Sequence, residues 1–577
     1  PPRGKHVVLT FRGPESSPLA DVGVEVHYNL YDGIPLISKW ICVKNHSKQS
    51  IRLNHFISEQ LALVEPESIV DNRPANRARD AVTELVPNLH VETDYAMGGM
   101  DSKTANAFAV HWDEDPQFDT QVNFLLKSRC LLRVGLNVGP DQMIAPASRF
   151  ESFRAYVMPF DSAERERCGL AQRKLYRIVA PWVQENPLML HSRSADPDLV
   201  RQAIDQAADV GFEMVILTFW SGFDMENNAP EYLEQMKSLA DYAQEKGVEL
   251  GGYSLLSSRV IGNGMDNESP ADLPEAHNNS PNLVSPWGQE YFATLRHFFS
   301  ETGFAVLEHD GPYPGDFDET PRPPLQRGLE DSQYVQWKAA TDFYGWLRAH
   351  GIYLNQPDWY FLNGGNKTAM GYREVNWSLP RRQQQIHTRQ NIYDGTWTKT
   401  PSMGWMFVPL SEYHGGGAEA TIEPLSENLA HYEMMLASNL LLGVQACYRG
   451  PRLYDTPETR TAVKKWVDLY KRHRDILESD LVHLRRADGR NLDFMLHVNP
   501  ELSTKGFLAV FNPTHEAISE RVMIPLYYTG LIESANFRVE ESSPQTVSLD
   551  HRQRAEIELH VPAGGVTWVT FEETSPK

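Results

Sequence analysis

Phe304-Ala-Val-Leu-Glu-His-Asp310-Gly-Pro-Tyr-Pro-Gly315 is the stretch on which the reading of this sequence turns. Its first four residues, all apolar, read as a short strand buried on both faces, since such a strand needs no polar alternation. The run stops on Glu308, His309 and Asp310, and two Gly-Pro-type turn signals follow at once. Ionisable groups at the C-terminal tip of a buried strand are costly unless partnered or used. In a (β/α) barrel that tip is where reacting side chains sit, whereas on an isolated strand Asp310 would merely cap the turn. The sequence on either side decides between the two.

Outward from this stretch, beginning at Pro181, helices of 3.6-residue period alternate with short apolar strands, the sign of βα units around a parallel sheet. Residues 188–190, 215–220 and 250–255 read as the first three strands and 304–310 as the fourth. A fifth spans 352–355, and a short sixth ends near Met370-Gly-Tyr-Arg-Glu374. Residues 406–410 fit a seventh, and Leu440-Leu-Leu-Gly-Val-Gln445 an eighth. Asp196-Pro197 supplies an N-cap and a proline at the first helical position, predicting a helix with Leu199, Ala203, Ile204 and Ala207 on its inner face. Further helices are predicted over 232–246, closed by Gly247, and over 287–300 and 332–350. Eight strand candidates over about 270 residues fit a (β/α)8 barrel.

The flanks have a different period. Residues 1–160 carry short alternating strands separated by turns, such as Val22-Gly-Val-Glu-Val-His-Tyr-Asn-Leu30, which predicts a β-sandwich. A helical linker, 161–180, leads into the barrel, 181–450. A helical connection, 451–484, then precedes a second, smaller β-sandwich over 485–577, with strands at 492–497, 506–511 and 565–571. The expected fold class is thus multidomain α/β and β: a central (β/α)8 TIM barrel between an N-terminal and a small C-terminal β-sandwich.

Composition narrows the function. The net charge of −22 comes without a basic block, so a phosphate-backbone ligand would be repelled and nucleic acid is excluded as a partner. No apolar run is long enough to span a bilayer, so no membrane partner is expected. Cys42, Cys130, Cys168 and Cys447 are scattered and form no CxxC pair, which removes zinc-ribbon and disulfide-framework readings. The chain opens on Pro1-Pro2 instead of Met, predicting that the natural N-terminus and any signal peptide lie upstream. A secreted or periplasmic location stays open, as does a homo-oligomer.

The predicted strand tips gather Trp220, Asp224, Tyr253, Glu308, His309, Asp310, Asp358, Trp359, Glu374, Trp377 and Glu412. Carboxylates among aromatics suit a carbohydrate: the carboxylates do acid–base and nucleophilic work, and flat rings stack on a pyranose. No HxH or HExxH spacing occurs, so no metal or other cofactor is expected, and His309 reads as a hydrogen-bond donor beside Asp310. Gly415-Gly-Gly417 lacks the spacing of a phosphate loop and reads as a rim loop. Asp316 and Asp318, in the loop after Gly315, are expected in solvent.

This layout resembles the clan D glycoside hydrolases, the α-galactosidases and their relatives. The stretch Val24-Glu-Val-His-Tyr-Asn-Leu-Tyr-Asp-Gly-Ile-Pro-Leu-Ile-Ser-Lys-Trp40 is similar to the end of their N-terminal sandwich. The resemblance implies a catalytic pair: a nucleophile after the fourth strand, where Asp310 stands, and an acid/base after the sixth, where Glu374 stands in Gly371-Tyr-Arg-Glu-Val-Asn-Trp377. Asp358, Asp394 and Glu412 compete with Glu374 for the second role. Trp220, Asp224, Tyr253, His309, Asp358, Trp359, Trp377 and Glu412 are expected to bind substrate. Two departures stand out: Glu308-His309 replaces the family's Lys-Trp-type pair, and Glu374 replaces an aspartate. The implied activity is retaining, exo-acting hydrolysis of an α-glycoside of a galactose-type sugar, plain, N-acetylated or anhydro, by double displacement. A transglycosylase on the same barrel and a non-catalytic carbohydrate-binding protein are the alternatives.

Overall fold

The computed structural model describes residues 2–63, 88–115, 117, 129–256, 258–273, 280–311, 315–413 and 416–574, with 369–375 described by their backbone alone. Eight parallel strands close into a barrel in sequence order. They are β1 (Met189–Ser192), β2 (Met214–Leu217), β3 (Glu249–Leu255), β4 (Val306–Asp310), β5 (Tyr353–Gln356), β6 (Lys367–Arg373), β7 (Gly404–Pro409) and β8 (Gln445–Arg449). Period-two alternation divides each strand between two cores. Met189, Met214, Ile216, Val306 and Tyr353 fill the barrel interior, while Leu190, Val215, Leu217, Leu307 and Leu354 pack outward against the helices.

Seven strands lie within a few residues of their expected places. The eighth does not. The apolar run beginning at Leu440 ends the helix Leu429–Leu440 and forms a buried turn, and the strand itself is the more polar Gln445-Ala-Cys-Tyr-Arg449. The helix Pro197–Val210 starts as expected, with Asp196 accepting from the amides of Asp198 and Leu199. Its inner face is Val200, Ala203, Ile204 and Ala207; Leu199 is 46% exposed, because the buried stripe begins one residue later. Asp316 and Asp318 are buried, not solvated. Asp318 pairs with Arg322 at 2.6 Å and accepts from Asn282 and Gln326, which pins the loop after β4 to the loop after β3.

No helix connects β5 to β6. The chain passes from the top of the barrel to its base through a single 3-10 turn, Phe361–Asn363. Its apolar residues are covered instead by the linker helix Arg165–Val179 and the N-terminal β-sheets, which share a core with Trp359 and Phe361. Trp359 donates its indole N–H to Glu92 at 2.6 Å, and Trp182 donates to the Phe361 carbonyl at 2.9 Å.

Among the described residues the N-terminal part comprises a six-stranded antiparallel sheet beginning with Gly4–Arg12, Val22–Tyr31 and Ile37–Asn45, together with a three-stranded and a two-stranded sheet. The C-terminal part sets a six-stranded sheet against the hairpin-like pair Ile518–Pro525 and Arg554–Val561. The other face of that sheet, through Met495, Phe507, Phe511 and Trp568, joins the barrel core. Arg389, on the helix Arg381–Gly395, clasps Asp493 of this sheet with two bonds of 2.5 and 2.9 Å. No helix is long and apolar enough to cross a membrane among the described residues.

Candidate active site

Alternation along β4 sorts the three ionisable residues of the quoted stretch. Val306 faces the barrel interior, so Glu308 and Asp310 share that face and His309 points the other way. His309 is fully buried between the barrel and its helices, where its Nε2 meets the Tyr291 hydroxyl and its Nδ1 the Tyr344 hydroxyl, each at 2.9 Å. Burial, reinforced by the charge of Arg259, pushes its pKa down to about 3, so the ring is neutral. His309 therefore supports the strand from behind and does not enter the mouth of the barrel.

Asp310, at the mouth, accepts a 2.5 Å hydrogen bond on Oδ2 from the hydroxyl of Tyr253 at the tip of β3. Tyr253 lies 5.2 Å from Phe219, which stacks on Trp220 at 4.7 Å. Trp220 is 60% exposed and holds a φ of 62°, a left-handed conformation that a bulky residue rarely adopts. The backbone thus turns a flat apolar ring outward at the rim. Tyr413, after β7, lies 6.1 Å from Trp220 and 5.2 Å from Trp377, which extends the aromatic wall round to the end of β6.

Beneath Asp310 the floor is polar and fully packed. Glu308 accepts from Thr218 at 2.7 Å and from Arg449 at 3.3 Å, and faces His191 at 3.5 Å. Burial works against its charge, but His191, the Arg449 guanidinium and the Thr218 hydroxyl together hold its carboxyl below the usual carboxylate range. The anion at this position is thus matched by the Arg449 cation and belongs to the floor. Arg449 also lies over the rings of Phe407 and Tyr413 at 5.1 and 5.0 Å.

A second carboxyl group stands near Asp310. Asp358, two residues past β5, is 2% exposed, and among the described residues its Oδ2 has no hydrogen-bond partner. Burial first, and then the neighbouring Asp310 charge, push this carboxyl well above the usual carboxylate range. Glu374 follows β6 directly and opens the 3-10 turn Glu374–Ser378; its side chain lies outside the described residues. The turn is anchored by Asn376, which donates to Thr388 at 3.0 Å and to the Phe407 carbonyl at 3.3 Å.

The remaining expected residues disperse. Asp224 is exposed on the loop after β2, where it caps a turn by accepting from the Glu226 amide at 3.0 Å. Trp359 is buried in the layer between the barrel and the N-terminal sheets, bonded to Glu92, and leaves the mouth altogether. Glu412 is exposed and offers only its carbonyl inward, to Arg193. Asp394 pairs with Arg486 at 2.7 Å on the surface. Gly415 lies outside the described residues. Sequence reasoning missed Tyr413, Arg193 and Arg449; the last was hidden by the misplaced eighth strand. Among the described residues no group of three metal-ligating side chains occurs.

No protein-family model matches the sequence, and no curated protein matches it. Solved structures do. An α-galactosidase from Lactobacillus brevis superposes with a TM-score of 0.64 at 12% identity, covering 99% of this chain and 82% of that one. The galactosidase domain of the α-galactosidase-sucrose kinase AgaSK gives 0.61 at 12% identity, with 99% and 86% covered. A variant of the GH36 α-galactosidase AgaA from Geobacillus stearothermophilus, in complex with raffinose, gives 0.60 at 11% identity, with 99% and 88% covered. The resemblance to clan D glycoside hydrolases read from the sequence thus holds over the whole described architecture, and the chain has the fold of the GH36 α-galactosidases.

Proposed function

We propose that the protein is a retaining, exo-acting α-glycoside hydrolase that releases a galactose-type sugar by double displacement. The observation that carries this reading is the placement of Asp310: inward-facing, at the tip of β4, and bonded to Tyr253, from which rings lead through Phe219 to the exposed Trp220. The similarity in fold to α-galactosidases supports the class of reaction and sugar.

In this scheme Asp310 attacks the anomeric carbon as the glycosidic C–O bond breaks. The Asp310 carboxylate, oriented by the Tyr253 hydroxyl on Oδ2, forms the ester-like bond. Glu374, on the neighbouring turn, gives its proton to the departing oxygen. In the second half, Glu374 takes a proton from water, the water oxygen bonds to the anomeric carbon, and Asp310 departs as a carboxylate. Tyr253 holds one oxygen of that carboxylate throughout, and Trp220 offers a stacking face to the sugar. The exo assignment follows from the resemblance to the α-galactosidases.

Proton NMR of the first minutes of hydrolysis of an aryl α-galactoside tests the reading. The α-anomer of the free sugar should appear first and the β-anomer only by mutarotation. Initial release of the β-anomer overturns the double displacement. Failure to cleave any member of a panel of galactoside, N-acetylgalactosaminide, fucoside and glucoside α-aryl substrates overturns the hydrolase.

A further inference from the structure

Arg193 immediately follows β1, and its guanidinium reaches across the rim to Tyr413, with its carbon centre 5.6 Å from the ring. Its Nη1 donates to the carbonyl of Glu412. These partners, a ring face and a carbonyl oxygen, carry no formal charge. Among the arginines of the upper barrel and its loops, Arg449 is matched by Glu308, Arg259 by Glu226 and Arg322 by Asp318, whereas Arg193, like Arg381 at the start of the helix after β6, meets only uncharged groups. In a chain with 76 acidic against 54 basic residues, a half-buried arginine matched by no carboxylate among the described residues is conspicuous. Solvated surface arginines need no partner, but a guanidinium half withdrawn from water does.

The surroundings are rich in hydrogen-bond donors as well. Among the described residues, Nε of Arg193 and Oγ of Ser411 are buried without a hydrogen-bond partner, past the tips of β1 and β7. Arginine nitrogens can only donate, so the group that completes them must accept, and a compact oxyanion accepts several bonds at once. In an eight-stranded barrel the tips of β8 and β1 lie across the mouth from the tip of β4, where Asp310 stands.

We propose that Arg193, with Tyr413 and Ser411 beside it, forms an anion subsite, so that the preferred sugar bears a sulfate ester or a carboxylate on the ring edge remote from the anomeric carbon. This rests on the proposed glycoside hydrolase reading and names its substrate class: an acidic galactose-type sugar. The Asp310 carboxylate then meets the anomeric carbon at one rim while the substituent's negative charge meets Arg193 at the other.

Calorimetric titration of the full-length Asp310→Asn protein with galactose, galactose 4-sulfate, galactose 6-sulfate and galacturonic acid tests the subsite apart from turnover. One acidic sugar should bind at least about ten-fold more tightly than galactose at low ionic strength, as expected of a charge-assisted pair. The advantage should shrink as salt is added. The sulfated and uronic arms identify which oxyanion is taken. Adding Arg193→Gln should collapse the ratio of acidic to neutral affinity, and Arg193→Lys should restore part of it. Equal or tighter binding of galactose, no binding of any of the four sugars, or a preference that survives Arg193→Gln overturns the proposal. Hydrolysis is assayed separately on neutral and acidic aryl α-glycosides with the intact Asp310 protein. Loss of turnover on both with the binding preference intact would count against the hydrolase and not against the subsite.

Discussion

Tyr253 donates its phenolic hydroxyl to Oδ2 of Asp310 at 2.5 Å, tying the tips of β3 and β4 together at the mouth of the barrel. The bond fixes the carboxylate's orientation. Hydrogen bonds to ionised groups are worth about 1.5–3 kcal/mol. Tyr253→Phe should therefore lower kcat by roughly ten- to a hundred-fold with the melting temperature nearly unchanged. Steady-state kinetics beside a thermal melt check this; a kcat within two-fold of the parent (about 0.4 kcal/mol) would show that the bond does not serve catalysis.

The proposed roles of Glu374 and Asp358 separate by leaving group. Glu374→Gln should depress kcat/KM by about 10²–10⁴ for sugar leaving groups, the usual worth of a general acid. It should largely spare 2,4-dinitrophenyl glycosides, which need no protonation. If Asp358→Asn shows this pattern and Glu374→Gln does not, the acid is Asp358.

Asp358 also makes a stability prediction. Its carboxyl is held well above 3.8 in the folded protein by burial and the Asp310 charge. A raised folded value means that the folded state keeps a proton the unfolded state releases. The associated stability is present at low pH and declines as pH rises above about 4 toward the folded value. Asp358→Asn removes that decline, so the difference in melting temperature, variant minus parent, should grow as pH is raised from 4 to 8. A difference that stays flat would show that Asp358 is ionised in the fold.

Arg389 and Asp493 join the barrel to the C-terminal sheet through a buried two-pronged pair. Burial nonetheless raises the Asp493 carboxyl above its usual range, so desolvation outweighs the guanidinium's pull. Removing one partner, as in Arg389→Met, should cost about 3–5 kcal/mol, while Arg389→Met with Asp493→Leu should recover most of it. Urea unfolding of the single and double variants measures both.

Inside the barrel, a β-carbon on Gly251 would lie 2.3 Å from Cβ of Val306, with strand backbone on both sides. Gly251→Ala should therefore destabilise by about 1–3 kcal/mol, the usual scale of overpacking, and denaturant titration reads it directly.

Apolar strands flanked by amphipathic helices were legible in the sequence because burial on both faces leaves an uninterrupted hydrophobic run, as in Val215-Ile-Leu217. The last strand was not, because β8 carries Gln445 and Arg449 into a polar interior while the adjacent Leu440–Val444 run serves the helix side. β6 was blurred in the same way: it opens on Lys367, whose ammonium is buried and donates to the carbonyls of Ser402 and Gly404. At the candidate site, Asp310 stood out through its strand-end position. Strict alternation already set His309 on the opposite face from Glu308 and Asp310, a signal present in the sequence but outweighed there by proximity to Asp310. Trp359 and Arg193 could not be sorted by spacing, since whether a residue past a strand tip stays at the rim or descends outside depends on contacts with distant segments, here Glu92 and Tyr413.

The bare crossover between β5 and β6 ties the inheritance of one part of the chain to another. Where other strands bring their own helix, this one leans on Leu36, Leu175 and Tyr176 from segments far earlier in the sequence. A gene fragment encoding the barrel alone would express a cylinder with one stave uncovered, its Trp359 and Phe361 open to solvent. Leu36 thus packs in one core with a surface more than three hundred residues downstream. The N-terminal sheets are, in that sense, part of the barrel's wall and not its luggage.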